Sequence, residues 1–182
     1  MANFFDPNMG LMILDTAYAL IDRPIRVQKV VLYPNAAGDA AVFSSYDPEA
    51  TPKATMDYKA VTVTGGNTIT STGNFETAEV AANDIIHIYA SDTGNNKGNY
   101  IVSARSSDDA IVVGGSEWDT TPLSDEASKY YSWTTITPYT SIPMLCAATE
   151  KAVFEYDFGG FVFPNLILTS LSANAKVYLY YC

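Results

Sequence analysis

The sequence contains few of the side chains that most often perform catalysis or bind metals. Its 182 residues include a single histidine, His87, and two cysteines, Cys146 and Cys182. The cysteines are too far apart in sequence to form the close pair that tetrahedral zinc sites usually contain. His87 alternates with Ile86 and Ile88, so we expect it on the surface of a strand and not in a catalytic site. The sequence therefore predicts no metal and no other cofactor.

The motifs of common enzyme classes are missing as well. The chain has no GxSxG, GxxxxGKS/T, GxGxxG or HExxH pattern, which serve nucleophilic catalysis, phosphate binding and zinc chemistry. Two acidic pairs, Asp108-Asp109 and Asp125-Glu126, could serve a glycosidase only if their carboxylates faced one cleft. The loop at residues 92–98 lacks the alternating acids of a calcium loop, and we interpret it as a hairpin turn. We predict that the chain is not an enzyme.

Positive charge is scarce. The chain has 10 basic and 20 acidic residues, which gives a net charge of −10, and such a field repels the phosphates of nucleic acids. The densest basic group is Arg23, Arg26 and Lys29, and we expect it to form local ion pairs. The apolar segment near the N-terminus is interrupted by Asp15 and is too short to span a bilayer. We therefore expect neither a nucleic-acid partner nor a membrane partner.

The composition favours β-structure. Apolar residues make up 48% of the chain and aromatic residues 13%. These aromatics, together with many Val, Ile and Thr residues, favour strands over helices. Segments of alternating polarity between turn residues predict strands at 25–33, 40–45, 59–64, 67–71, 73–80, 84–90, 99–105, 110–113, 130–136, 152–158, 161–171 and 176–181. We also expect one short helical turn at residues 17–21. The sequence thus predicts an all-β fold.

The order of these segments predicts a β-sandwich that carries an insertion. Residues 1–22 form an apolar N-terminal arm. Residues 23–58 and 119–182 are predicted to build one sandwich, which is complete only when the chain returns from its middle part. Residues 59–118 contain enough short strands for a small barrel-like unit inserted into that sandwich. A polar segment at residues 120–128 is expected to serve as a linker.

Two groups of apolar side chains are candidates for contacts with other proteins. The arm needs a cover, which is either the core of its own chain or a neighbouring subunit. The aromatic residues near position 130 alternate within a strand, where they can face a core, a partner or a sugar. The candidate contact residues are Phe4, Phe5, Leu11, Met12, Ile13, Leu14, Tyr130, Tyr131 and Trp133.

The middle of the chain carries a pattern seen in other proteins. Its parts are Gly-Asn-Phe at 73–75, Asn-Asp-Ile-Ile-His-Ile-Tyr at 83–89, Asn-Asn-Lys-Gly-Asn-Tyr-Ile-Val at 95–102 and Ala-Ile-Val-Val at 110–113. This pattern resembles a small β-module of tailed-bacteriophage virion proteins, which has Gly-Asp-Phe, Gly-Asp-x-Ile-x-Ile and Asn-Asp-Gly-x-Tyr-x-Ile/Val. The chain departs from that module at Asn74, Asn83 and Lys97.

The flanking segments resemble the head-decoration domains of such phages. This likeness rests on the strand at 29–33, the turn at 37–39, the glycine pair at 159–160 and the last strand at 177–180. Together the likenesses imply a structural virion protein that decorates and stabilises a bacteriophage capsid through protein-protein contacts. They imply the major capsid protein or other virion subunits as partners, and a homo-oligomer with a trimer favoured. They also imply a place on the capsid surface after synthesis in the host cytoplasm. A connector or tail component and a carbohydrate-binding module on the virion surface are the alternatives.

Overall fold

Strands make up most of the described chain. The structure is a computed structural model that describes residues 4–6, 8–92, 94–114, 123–138, 145–147 and 153–182. Its elements in chain order are β1 (Phe4–Asp6), β2 (Leu11–Leu14), β3 (Ala19–Ile21), β4 (Ile25–Tyr33), β5 (Ala40–Ser44), β6 (Ala54–Thr64), β7 (Thr68–Thr70), α1 (Asn74–Thr77), β8 (Ile85–Ser91), β9 (Gly98–Ser107), β10 (Ala110–Gly114), β11 (Glu126–Ile136), β12 (Leu145–Ala147), β13 (Phe154–Phe163), β14 (Leu166–Leu171) and β15 (Lys176–Tyr181). The fold is all-β, as the composition predicted.

The described residues divide into two compact units. The first unit draws its described residues from Met1–Ser45 and Tyr139–Cys182, and the second from Tyr46–Ser116 and Thr120–Pro138. The chain thus leaves the first unit and later returns to it. The second unit is an insertion in the first.

The first unit is a β-sandwich of two sheets. Among the described residues, one sheet has five strands in the order β1-β2-β15-β4-β13, and the other has four in the order β12-β5-β14-β3. Alternate residues of the larger sheet, such as Val30 and Leu32, face the same side because side chains in a strand repeat every second residue. They pack with Phe43 and Leu168 of the smaller sheet in a single core.

The N-terminal segment belongs to this sandwich. β2 pairs with the last strand, β15, and β3 pairs with β14. Met12, Leu14 and Ile21 are buried in the sandwich core. Of the two covers considered for the arm, its own chain is the one observed for these strands. The helical turn expected at residues 17–21 is wrong, since Ala19–Ile21 is a strand.

The second unit is a closed barrel of strands in the order β10-β7-β6-β11-β8-β9. Each strand contributes inward-facing side chains to one core, among them Val61, Ile69, Ile88, Val102, Ile111 and Trp133. Phe75 of the short helix α1 packs on the Trp133 ring, with 5.5 Å between the ring centroids. Closure of the ladder gives every barrel strand two neighbours, so the barrel has no unpaired edge strand.

The boundaries of the barrel differ from those predicted. β6 begins at Ala54, and β11 pairs with β6 on one side and with β8 on the other. Without β11 the ladder between β6 and β8 would stay open, so residues 126–136 belong to the barrel and not to the sandwich. The predicted linker at 120–128 likewise runs into β11. The alternation of this segment predicts a strand, but alternation alone does not specify which sheet the strand joins.

The strand predicted at residues 73–80 is also wrong. Asn74–Thr77 forms a single helical turn. It follows Gly73, whose φ of 67° lies in the left-handed region and departs from the extended backbone of a regular strand. The turn directs the Phe75 ring into the barrel core.

Candidate interaction surfaces

Four of the predicted contact residues lie inside the two cores. Met12 and Leu14 are buried in the sandwich, and Tyr131 and Trp133 are buried in the barrel. These residues lie in strands, and alternate side chains of a strand point to the same face. Half of the side chains in each segment therefore point toward the core, even where every residue of the segment is apolar. The structure therefore corrects the prediction that these four residues contact a partner.

The other predicted contact residues are distributed over both units. Phe4 is exposed on β1 and pairs with Ile13 of β2, whose side chain is half-buried, as is that of Leu11. Tyr130 is exposed on the barrel. The side chain of Phe5 lies outside the part of the chain that the structure describes. Phe4 and Ile13 thus share one sheet of the sandwich, whereas Tyr130 belongs to the other unit.

A group of aromatic side chains on β13 was not among the predicted contacts. β13 is the last strand of the five-stranded sheet, and among the described residues only β4 pairs with it. Tyr156, Phe161 and Val162 on this strand are 49%, 59% and 55% exposed. We call Tyr156, Phe158, Phe161 and Phe163 the aromatic ledge. The alternation of aromatic and polar residues predicts a strand, but it does not predict that Tyr156 and Phe161 remain exposed at the sheet edge.

The aromatic ledge continues the sandwich core outward. Across the ladder between β13 and β4, Tyr156 pairs with Val30 and Phe161 pairs with Val27. Residues paired in this way point to the same face of the sheet. Val27 and Val30 are fully buried in the core, so Tyr156 and Phe161 lie on the core side of the sheet. Both side chains are nevertheless exposed, because they lie at the edge of the sheet, outside the buried centre.

Ring contacts join the members of the aromatic ledge. The centroid distances are 4.6 Å for Tyr156 and Phe158, 5.6 Å for Phe158 and Phe163, and 4.8 Å for Phe161 and Phe163. These separations fall in the range of favourable aromatic pairs. Phe163 is buried, whereas Phe161 is exposed. The aromatic ledge therefore forms a continuous apolar strip from the core to the surface.

Polar contacts from β4 hold the backbone beside the aromatic ledge. Arg26 donates from Nε to the carbonyl oxygen of Gly160 at 3.0 Å, and Nζ of Lys29 lies 3.5 Å from Glu155. Gly159 and Gly160 have φ values of 59° and 81°, and the register of the ladder shifts at this point. The predicted local ion pairing of the basic group is thus confirmed for Lys29. The contacts place a bulge in the middle of the edge strand.

The barrel carries a groove on its outer surface. The groove has a volume of about 360 Å³ and is lined by Ala60, Val61, Thr62, Thr70, Ser71, Thr72 and Tyr130. We call it the tyrosine groove. The ring of Tyr130 stacks on that of Tyr58, with centroids 4.4 Å apart and planes 7° apart. Tyr58 is 66% exposed. The groove thus combines threonine side chains with an aromatic wall.

His87 lies on the outer face of the barrel, as predicted. Ile86 and Ile88 on either side of it are buried in the core, while His87 is half-buried. Its Nδ1 lies 2.7 Å from Oδ1 of Asn99, and Asn99 donates from Nδ2 to the Tyr46 hydroxyl at 3.1 Å. These contacts fix the imidazole between neighbouring side chains and give it a structural role.

The predicted acidic pairs also make structural contacts. Oδ1 of Asp109 accepts a hydrogen bond from the backbone N–H of Gly73 at 2.5 Å. Oδ1 of Asp125 accepts one from the backbone N–H of Gly66, also at 2.5 Å. These two hydrogen bonds hold turns next to barrel strands, since Gly66 lies between β6 and β7 and Gly73 lies between β7 and α1. The exposed Asp108 forms an ion pair at 3.6 Å with the arginine three residues before it.

Hydrogen bonds of Asn96 connect the loop at residues 92–98 to β11 and to the segment just before it. Asn96 donates from Nδ2 to the Tyr131 hydroxyl at 2.8 Å and accepts from the backbone N–H of Ser124 at 2.7 Å. The Tyr131 hydroxyl in turn donates to Glu126 at 2.5 Å. Burial, and after it the hydrogen bond to Glu126, raises the pKa of Tyr131 above its ordinary value. The side chain of Asn96 therefore connects the loop to the barrel.

The residues that resemble the phage β-module have structural roles in the barrel. Asn83, which replaces a glycine of the module, has a φ of 73°, and asparagine adopts this conformation more readily than most residues. Asp84 is buried, and its Oδ2 accepts from the backbone N–H of Ala81 at 2.8 Å and from Lys53 at 3.2 Å. These residues of the pattern therefore stabilise a turn and a buried hydrogen-bond network of the barrel.

The described residues contain no group of three or more His, Cys, Asp or Glu side chains that could hold a metal ion. No helix in the same part of the chain is long and apolar enough to cross a membrane. Cys182 is an exposed free cysteine, whereas the side chain of Cys146 lies outside what the structure describes.

Comparisons of the chain with protein families, curated proteins and solved structures give no match. Functional conclusions therefore depend on this chain's own surfaces. Two stand out by their chemistry: the aromatic ledge of the sandwich and the tyrosine groove of the barrel.

Proposed function

We propose that the chain is a structural virion protein that decorates and stabilises a bacteriophage capsid through protein-protein contacts. The observation that carries this proposal is the aromatic ledge on β13, a strand of the sandwich that pairs on one side only among the described residues. The resemblance of residues 73–113 to a phage β-module supports the same conclusion. Under this proposal the partners are the major capsid protein or other virion subunits, and the protein lies on the capsid surface after synthesis in the host cytoplasm.

The aromatic ledge offers two modes of attachment at one place. Among the described residues no strand pairs with the side of β13 that faces away from β4, so its backbone N–H and C=O groups can pair with a strand of another protein. The side chains of Tyr156 and Phe161 are 49% and 59% exposed, and their burial against a partner removes apolar surface from water. Complete burial of one such side chain contributes about 1.5 to 3 kcal/mol, part of which is offset by the costs of association.

A capsid lattice increases the effect of such a modest contact. Each copy of a decorating protein meets the same surface at many equivalent positions, and linked copies bind with an effective concentration far above that of free ones. A homo-oligomer, with a trimer favoured, would present several aromatic ledges to one region of the shell. If the oligomer and the shell share a symmetry axis, several aromatic ledges can bind equivalent positions of the shell at the same time.

Variants of the aromatic ledge test this proposal. Phe161→Ser and Tyr156→Ser remove the exposed rings without opening the buried part of the core, and we expect each to lower binding to capsids about tenfold. The measurement is co-sedimentation with capsids from the phage that encodes the chain, prepared without this protein. The control is Tyr33→Ser, which removes a 43% exposed tyrosine from β4 of the same sheet. Unchanged binding of both ledge variants would refute the proposed role of the ledge.

The mass of the protein in solution tests the position in the particle. A trimer, measured by light scattering after size exclusion, agrees with a capsid-decorating protein. A larger closed ring would contradict it and would favour the connector or tail alternative, because those parts of a virion are built as rings.

A further inference from the structure

The tyrosine groove exists because a small residue lies between larger ones on the outer face of the barrel. The groove crosses three neighbouring strands, β7, β6 and β11. Thr70 of β7 pairs with Thr62 of β6, and Ala60 of β6 pairs with Tyr130 of β11. The methyl group of Ala60 leaves an open space between the threonine pair on one side and the tyrosine ring on the other.

The aromatic wall of this groove is fixed in place. Tyr58 stacks on Tyr130 with nearly parallel rings, so each ring restrains the other. Tyr58 itself has a φ of 50°, and its backbone N–H donates to Oγ of Ser132 at 2.9 Å. This φ is unfavourable for a bulky residue and occurs where the surrounding structure enforces it. The contacts therefore keep two tyrosine rings together at the barrel surface.

The threonine side of the groove offers free hydroxyl groups. The hydroxyls of Thr62, Thr70 and Thr72 form no hydrogen bond with another residue in the described part of the chain. Each hydroxyl can donate one hydrogen bond and accept others. A ligand in the groove would therefore meet a row of unused donors and acceptors opposite an aromatic surface.

The floor of the groove is already ordered. The Ser71 hydroxyl donates to the carbonyl oxygen of Ala60 at 2.6 Å and accepts from Asn74 at 2.9 Å. The backbone N–H of Ser71 donates to the carbonyl oxygen of Asp109 at 2.7 Å. These bonds join β6, β7 and the turn before β10. A ligand would bind a preformed surface, which reduces the entropy lost on binding.

We propose that the tyrosine groove binds a neutral saccharide, a function that attachment to a capsid does not require. Sugars present an apolar C–H face that packs on aromatic rings and a rim of hydroxyls that pair with threonine. None of the groove residues is charged, and the net charge of the chain is −10, so acidic sugars are disfavoured. A volume of about 360 Å³ is at the low end for ligand sites and suits a terminal sugar unit.

The first test is a printed array of neutral and acidic oligosaccharides, probed with the full chain, followed by a titration of the best neutral glycan. We expect Tyr130→Ala to weaken binding of that glycan about tenfold, because one aromatic contact and its packing are lost. Thr70→Val keeps the shape of the side chain and removes its hydroxyl. We expect it to weaken binding about threefold, the effect of one net hydrogen bond.

A second pair of variants keeps the test independent of folding. Ala60→Leu fills the groove at an exposed position and removes no contact, so it should abolish glycan binding while the thermal unfolding curve stays unchanged. Tyr33→Ala, in the sandwich, is the control and should bind as the unchanged chain does. Absence of any bound glycan, preference for acidic glycans, or normal binding by Ala60→Leu would each overturn the proposal. These variants leave the aromatic ledge intact, so capsid binding and glycan binding can fail separately.

Discussion

The sandwich and the barrel bury their strand faces in different ways. In the sandwich two sheets face each other, and each sheet ends in strands with a neighbour on one side only among the described residues. In the barrel the ladder closes on itself through β9 and β10, so each strand has two neighbours. Backbone edges are the part of a sheet that readily adds a strand from another protein. This difference is the reason that we propose strand-mediated contacts for the sandwich and side-chain recognition for the barrel.

The two cores also differ in polarity. The sandwich core is apolar, and its buried polar contacts include the hydroxyl of Ser45, which donates to Oδ1 of Asn165 at 2.8 Å. The barrel encloses carboxylates, Asp84 and Glu126, each with hydrogen-bonded partners. Buried polar networks that are fully bonded specify one arrangement of a structure. In the barrel these networks fasten loops through carboxylates, whereas the buried polar groups described in the sandwich are uncharged.

Substitutions in the centres of the two cores should have the largest effect and should separate the units. Phe43→Ala in the sandwich and Trp133→Ala in the barrel each remove a fully buried aromatic ring. We expect each to lower the free energy of unfolding by about 3 to 5 kcal/mol. Hydrogen exchange followed by mass spectrometry should show loss of amide protection mainly in the unit that carries the substitution. Equal loss of protection in both units would contradict the division into two independent cores.

Two glycines with similar φ angles allow the cost of a steric overlap to be separated from the cost of backbone strain. Gly10 in the sandwich and Gly73 in the barrel have φ values of 58° and 67°. A Cβ at Gly73 would meet nothing within 4 Å, whereas one at Gly10 would overlap the carbonyl oxygen of Tyr181. Gly73→Ala should therefore cost only the left-handed strain of about 1 to 2 kcal/mol, and Gly10→Ala about 1 to 3 kcal/mol more. Chemical denaturation measures both, and equal losses would show that the contact at Gly10 relaxes freely.

The sequence pattern predicts strands better than it predicts sheets. Alternating polarity locates β4 at residues 25–33 with the bounds that the structure has. The same alternation at 130–136 predicts a strand but not its place in the barrel, because pairing with β6 and β8 depends on residues far away in sequence. The turn at Asn74–Thr77 was missed because a four-residue helix has no periodicity to detect.

The candidate surfaces were harder to predict than the fold. The apolar run at residues 11–14 predicts a contact surface, yet half of that strand faces the core. The sequence does not distinguish Phe161 from Phe163, because both belong to one alternating pattern in the same strand. Their different exposure follows from the end of the sheet and the bulge at the glycine pair. The tyrosine groove depends on Ala60 lying opposite Tyr130, and this register is set by the closed ladder.

A substitution in the buried network of the barrel tests the difference in polarity between the two cores. Tyr131→Phe removes the hydroxyl that donates to Glu126 and accepts from Asn96. The buried carboxylate of Glu126 then accepts one hydrogen bond fewer. We expect the free energy of unfolding at neutral pH to fall by about 1 to 3 kcal/mol. The loop at residues 92–98 should lose amide protection, while the sandwich should keep its own.

The same substitution should change how stability depends on pH. Below pH 10 the Tyr131 hydroxyl is neutral in both the folded and the unfolded chain. As the pH rises above about 10, the unfolded chain loses this proton, whereas the folded chain keeps it because the pKa of Tyr131 is raised by burial and by Glu126. The free energy of unfolding should therefore fall with pH, and Tyr131→Phe should reduce that slope by about 1.4 kcal/mol per pH unit. Denaturant titrations between neutral pH and pH 11 measure the slope. Parallel curves for the two proteins would mean that the hydroxyl is not held neutral in the folded barrel, and the polar contrast between the two cores would then lose its clearest example.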